Sequence, residues 1–171
     1  MSNTEARLDL AWKLFKAAKY AEAADILSSI IATDANVPSA YSKRARCYHR
    51  MGNVDQALSD LSRAIELSPE SAAYYFTRGR YYLEIGEFEK ALSDFSNVLR
   101  LEEGKAEQPF LESALFFRAE MNCKLRRFED ALKDCSKIRR DFSLYVLRHM
   151  RTRDEVVNDA MAGLRDIKKE R

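Results

Sequence analysis

Three arginines and three aspartates are spaced in this sequence as if each arginine had its own carboxylate. Arg44, Arg78 and Arg118 are followed, 16 residues later in each case, by Asp60, Asp94 and Asp134. The places 34 residues before Arg44 and Asp60 hold Leu10 and Ile26, so both partners are lost together. A guanidinium is a planar fork that meets a carboxylate through two parallel hydrogen bonds. The correlated presence and absence therefore predicts structural ion pairs, closed within a pair of helices or across neighbouring ones. Other reactive chemistry is sparse. His49 and His149 are 100 residues apart and have no metal-ligand partner at useful spacing. There is no GxGxxG, no phosphate loop and no serine elbow. Cys47, Cys123 and Cys135 are an odd number without a CxxC or a metal-ligand spacing. Neither disulfides nor zinc are expected, and the chain reads as a non-enzyme without metal or cofactor.

The paired columns belong to a larger periodicity. Between residues 38 and 101 the sequence repeats with a period of 34, which sets Tyr75 on Tyr41, Arg78 on Arg44, Gly79 on Ala45, Tyr82 on Tyr48 and Gly86 on Gly52. Further on it sets Ala91 on Ala57, Leu92 on Leu58, Asp94 on Asp60 and Phe95 on Leu61. Each copy reads as two amphipathic helices joined by a glycine-centred turn, a unit too thin to bury its own apolar face, so copies must stack. Pro38 suits the first turn of a helix, and Gly52 and Gly86 suit a helix end with a positive backbone angle. Residues 4–37 fit the frame more weakly through Ala11, Leu14, Ala18, Tyr20, Ala23 and Leu27. After Leu101 a polar stretch, residues 102–108, interrupts the register. It reads as an inserted surface loop, or else as a partner contact at the rim, and Pro109 restarts a helix. A fourth copy follows through Leu115, Arg118, Ala119, Phe128, Ala131, Asp134, Cys135 and Ile138. The expected organisation is one domain, 1–171, with repeats at about 4–37, 38–71, 72–105 and 112–145. A capping segment at about 143–169 closes it, with a short helix through Leu144, Leu147 and Met150 and a second through Val156, Ala160 and Leu164. Ser2 with Glu5, and Thr152 with Glu155, are candidate capping boxes.

The residues Tyr41, Ala45, Tyr48, Ala57, Leu61 and Pro69 resemble the pattern of the tetratricopeptide repeat. The resemblance implies an all-α fold, a right-handed superhelical solenoid of antiparallel helix pairs. It also implies a concave groove, lined by the first helix of each repeat, that takes an extended peptide or a partner helix. Carried onto this chain, that face holds Leu8, Trp12 and Phe15, then Ser42, Arg46 and His49, then Phe76, Arg80 and Leu83, then Phe116, Glu120 and Cys123. Residues four apart on a helix share a face, so each repeat contributes a ridge. Arg46 and Arg80, one period apart, are expected on neighbouring helices with His49 nearby, flanked by Trp12, Phe76 and Phe116. Arginine and aromatic residues in a concavity are the composition of binding hot spots. Chaperone adaptors of this family grip a terminal carboxylate with lysines and asparagines. The matching positions here hold Leu8, Trp12, Lys43, Ala73 and Thr77, with one basic residue and no asparagine, so that function is not expected.

The totals agree with an interaction module. The chain has 171 residues, 46% hydrophobic and 33% charged, which is ordinary for a soluble helix-rich domain. The opening MSNTEARLDLAWKLF is neither a secretory signal nor a membrane span, and the expected compartment is the cytoplasm. A net charge of +2, from 29 basic and 27 acidic residues, gives no global attraction to nucleic acid or anionic lipid. The tract Lys124, Arg126, Arg127 is short and ends a helix, where the helix dipole favours cations anyway. The expected function is an adaptor or scaffold for a protein partner, a peptide or helix with acidic groups. No small-molecule substrate, membrane or nucleic-acid partner is expected. The alternative is a subunit of a larger assembly, homo-oligomers included, that uses its convex face or its ends.

Overall fold

The computed structural model describes residues 3–146 and 149–169. They form two compact units, Met1–Tyr74 and Tyr75–Arg171. In the first unit α1 (Asn3–Lys16), α2 (Tyr20–Thr33), α3 (Pro38–Arg50) and α4 (Val54–Leu67) follow one another as antiparallel hairpins, each packed on the next. Alanines set the close approaches, since Ala23, Ala40, Ala45, Ala57 and Ala64 are fully buried. Between them Leu27 and Ile30 of α2 and Leu61 of α4 supply the bulk, at the three- and four-residue spacing that puts them on one face. Pro38 occupies the first turn of α3, where a missing amide hydrogen costs nothing. The capping box anticipated from Ser2 lies outside the described residues.

The inter-helix turn uses one device four times. Gly52 and Gly86 have φ of +83° and +79°, and the equivalent positions of the outer repeats, Ala18 and Arg126, have φ of +60° and +58°. A side chain in that left-handed region costs about 1–2 kcal/mol, partly offset by the greater unfolded-state freedom of glycine, about 0.4–1 kcal/mol. A Cβ at Gly52 would meet nothing within 4 Å, so backbone strain alone decides the outcome there. Gly52→Ala is expected to cost about 1 kcal/mol and Ala18→Gly to return a similar amount. Thermal unfolding of the two variants checks this, and shifts of the same sign would refute it.

The second unit holds most of α5 (Ala72–Glu84), then α6 (Phe88–Glu102), α7 (Leu111–Lys124), α8 (Phe128–Cys135), a β-hairpin and α9 (Arg153–Lys169). The inserted segment is tied down by Glu102. Its carboxylate accepts a bond from the Phe110 amide at 3.1 Å, and its carbonyl accepts one from the Gln108 side chain at 2.8 Å. Consequently α7 starts at Leu111, two residues later than Pro109 suggests.

The short helix expected through Leu144, Leu147 and Met150 is a two-stranded antiparallel sheet instead. Strand β1 (Ser143–Val146) pairs with β2 (His149–Thr152), setting Leu144 opposite Arg151 and Val146 opposite His149. Leu147 lies outside the described residues. In so short an apolar run a three-residue spacing does not separate helix from strand. What decides is burial on a period of two: Val146 is 7% exposed and Leu144 half-buried, and β1 packs on α7. The box between hairpin and α9 is formed in full. The Thr152 amide donates to Glu155 Oε2 at 2.7 Å and the Glu155 amide to Thr152 Oγ1 at 3.2 Å. Gly163 lets α9 lie directly on the Phe128 ring, where a Cβ would come within 2.2 Å of the ring carbon.

Candidate functional site

The arginine and aspartate columns meet inside each helix pair. Arg44 donates from Nε and Nη2 to the two oxygens of Asp60 at 2.8 and 2.7 Å. Arg78 does the same to Asp94 at 2.8 and 2.8 Å, and Arg118 to Asp134 at 2.8 and 2.5 Å. The carboxylates are buried and each guanidinium is half-buried. Tyr41 and Tyr48 flank the Arg44 guanidinium at 5.7 and 5.5 Å, and Tyr75 and Tyr82 flank that of Arg78 at 5.9 and 5.8 Å. Hydrogen bonds to the aspartate raise the arginine pKa in all three pairs. A third contact went unread in the sequence. Arg44 Nη1 reaches Ser28 on the preceding pair at 3.0 Å, and Arg118 Nη1 reaches Ser96 at 3.3 Å. The signal existed, because Ser28, Ser62 and Ser96 share the period of 34. These pairs lock the scaffold and leave no reactive group open.

The residues expected on the binding face separate into two environments. In the first unit Trp12 and Phe15 stack at 5.1 Å and 7°, and Phe15 meets Tyr20 at 5.3 Å. Three cations of α3 lie over this stripe. Arg46 stands 4.7 Å from the Trp12 ring and 5.3 Å from that of Phe15, Lys43 is 5.1 Å from Trp12, and Arg50 is 5.4 Å from Tyr20 while donating to its hydroxyl at 3.0 Å. None of the three has a carboxylate within ion-pair distance among the described residues. Lys43 holds a clamp-matching position of this face, and Arg50, outside the expected set, joins it because a spacing of four from Arg46 puts it on the same side of α3. Leu8 packs half-buried against the core cluster beside this stripe, and His49 is half-buried on α3.

In the second unit the expected open face is mostly closed. Phe76 joins an aromatic cluster with Phe95, Phe110 and Phe117, at centroid distances of 5.9, 4.9 and 5.9 Å. Leu83 is 5% exposed, whereas Arg80 stands exposed on α5. Phe116 is fully buried and packs on Phe142 at 5.7 Å. Glu120 is 5% exposed and accepts from Arg151 Nε at 2.8 Å. Leu83, Phe116 and Glu120 therefore leave the set of open-face residues. For Phe116 and Glu120 the reason is that the hairpin and α9 fold back over α7, which is buried nearly all round. Burial also pushes the thiols of Cys47 and Cys135 up to about 11 and that of Cys123 to about 12, so all three stay protonated near neutrality.

Comparison with known proteins gives a consistent picture. Residues 36–101 and 76–143 each match a tetratricopeptide repeat family model. A stretch of 55 residues is 42% identical to Hsp70-Hsp90 organizing protein 3 of Arabidopsis thaliana, covering 32% of this chain and 10% of that protein. Among solved structures, the type III secretion chaperone SycD of Yersinia enterocolitica, in complex with a peptide of the translocator YopD, is 20% identical with a TM-score of 0.68. The likeness covers 73% of this chain and 97% of that one. The first TPR of Spaghetti (RPAP3), bound to the HSP90 peptide SRMEEVD, is 25% identical with a TM-score of 0.63, over 71% of this chain and 92% of that one. MamA is 17% identical with a TM-score of 0.69, over 98% of this chain and 81% of that one.

Proposed function

The chain belongs to the tetratricopeptide repeat family, and from that premise we propose that it is a protein-interaction adaptor whose first unit docks an acidic segment of a partner. The observation that carries this reading is the unpaired cationic ridge of Lys43, Arg46 and Arg50 over Trp12, Phe15 and Tyr20. Three like charges on one helix face repel unless something neutralises them, and no carboxylate of the described residues does. Partner carboxylates supply the missing charge, while the aromatic rings beneath add apolar area to the contact. Solved relatives with bound peptides support a peptide as the partner. Binding rather than catalysis is the activity this reading assigns.

The likeness to a chaperone organiser does not extend our reading to a terminal-carboxylate clamp. The positions that would carry it hold Leu8, Trp12, Lys43, Ala73 and Thr77. Peptides selected from a random display library on the full chain test both points. Selected peptides are expected to be rich in Asp and Glu, and Arg46→Glu, an exposed substitution, is expected to weaken them by roughly tenfold or more, the loss of a hot-spot contact. A library without acidic enrichment, or affinities unchanged in Arg46→Glu, would remove the first unit as the docking face. Tight binding of SRMEEVD with the same dependence on Arg46 would restore the clamp.

A further inference from the structure

The fold-back of the C-terminal hairpin does not fill the space it covers. Between it and the second unit's helices lies a cleft of about 500 Å3, in the range of sites that hold a ligand. Its walls are Leu83 of α5, Phe88 of α6, Phe128 of α8 and Val146 of β1. The neighbouring core is tightly filled, with Phe95, Val98 and Phe116 fully buried. The cleft is thus an apolar opening at the surface of that core.

We propose that this cleft is a second docking point, one that takes a single bulky, uncharged side chain, Trp, Phe or Leu, from a partner peptide. The inference rests on the adaptor reading but on other residues. Charge decides the occupant. The ionised groups that line the cleft are Glu120 and Lys124 from α7, Arg151 from β2 and Asp159 from α9, two of each sign. Arg151 is committed on both sides, donating to Glu120 at 2.8 Å and to Asp159 at 2.5 Å, so the acids are already satisfied. A ligand charge would find no net field here and would lose its hydration, whereas an uncharged ring would bury the half-open faces of Phe88 and Phe128. The first unit's ridge, with three unpaired cations, selects for the opposite property. The site is also particular to this chain's end, because β1, β2 and α9 lie beyond the helix-pair repeats and supply three of its walls.

The test uses the full chain, isotope-labelled, titrated with short glycine-serine peptides that carry one central Trp, Leu, Glu or Lys. Trp and Leu peptides are expected to shift the amides of Val146, His149 and Asp159, and Glu and Lys peptides are not. His149→Trp places a ring in the mouth from an exposed position on β2 and is expected to weaken the Trp peptide by about tenfold, with the amide spectrum otherwise retained. Equal affinity for all four peptides, shifts confined to the first unit, or an unaltered His149→Trp would overturn the proposal. So would concentration-dependent shifts of the same amides without peptide, which would assign the cleft to a second copy, or saturation by decane with the peptides ignored. Arg46→Glu separates the two readings. Trp-peptide binding retained in that variant, with acidic display peptides unaffected, would sink the first-unit face alone. Acidic peptides lost and Trp peptides without effect would sink the cleft alone.

Discussion

Asp94→Ala is expected to lower the stability of the second unit by about 3–5 kcal/mol, the cost of taking the carboxylate away from a half-buried guanidinium. The Asp94 side chain is 3% exposed and that of Arg78 19%. Alanine would leave Arg78 between two tyrosine rings, short of both its short hydrogen bonds to Asp94. The double variant Asp94→Ala, Arg78→Leu is expected to recover most of the loss, because an intact buried pair adds little net stability. The carboxyl itself points that way: burial pushes the Asp94 pKa up, even against the opposing pull of the Arg78 hydrogen bonds. Guanidinium chloride midpoints of wild type, single and double variants settle the matter. A single variant as stable as wild type would end the pairing argument. A double variant no better than the single would show that the pair is worth more than its desolvation.

Phe116→Ala is expected to cost about 3–5 kcal/mol, the range for emptying a fully buried phenylalanine site. Were Phe116 an open-face residue, as its place in the repeat implies, the cost would lie within about 0.5 kcal/mol. The same experiment with Arg80→Ala, an exposed residue one repeat earlier, supplies the reference and is expected to stay within about 0.5 kcal/mol. Since Phe116 meets Phe142 just ahead of the hairpin, loss of the ring is also expected to raise amide exchange across β1 and β2. Stability and exchange both unchanged would mean that the hairpin does not hold the face of α7 in solution.

These two variants mark the boundary of what could be read in advance. Arg78 and Asp94 are separated by 16 residues within one helix hairpin, and the same spacing recurs at Arg44 and Arg118, so repetition exposed the contact without any tertiary information. The Thr152 and Glu155 box was legible for a related reason: its whole geometry is set by four consecutive residues. The cation and aromatic face was legible only in part. Trp12, Phe15 and Arg46 followed from the repeat, but Lys43, Arg50 and Tyr20 depend on how closely α3 approaches α1 and α2. Leu144 and Met150 misled because a spacing of three suits a helix as well as one face of a short apolar run, and the choice was made by Val146 finding a place to be buried near α7.

The amino-acid sequence alone determined the helix pairs, their turns, the ion pairs that brace them and the family, because each of these rests on contacts between residues close in the chain and repeated at a period of 34. Only the tertiary structure decided which repeat surfaces remain open. Periodicity assigns an equivalent face to every repeat, but it cannot say where non-repeating chain will land. Here residues after Phe142 return to α7, bury Phe116, pair Arg151 with Glu120 and close a cleft against Phe128. That outcome follows from apolar area removed from water, a quantity summed over elements distant in sequence. In the first unit the ridge cations, Lys43, Arg46 and Arg50, stay without carboxylates among the described residues.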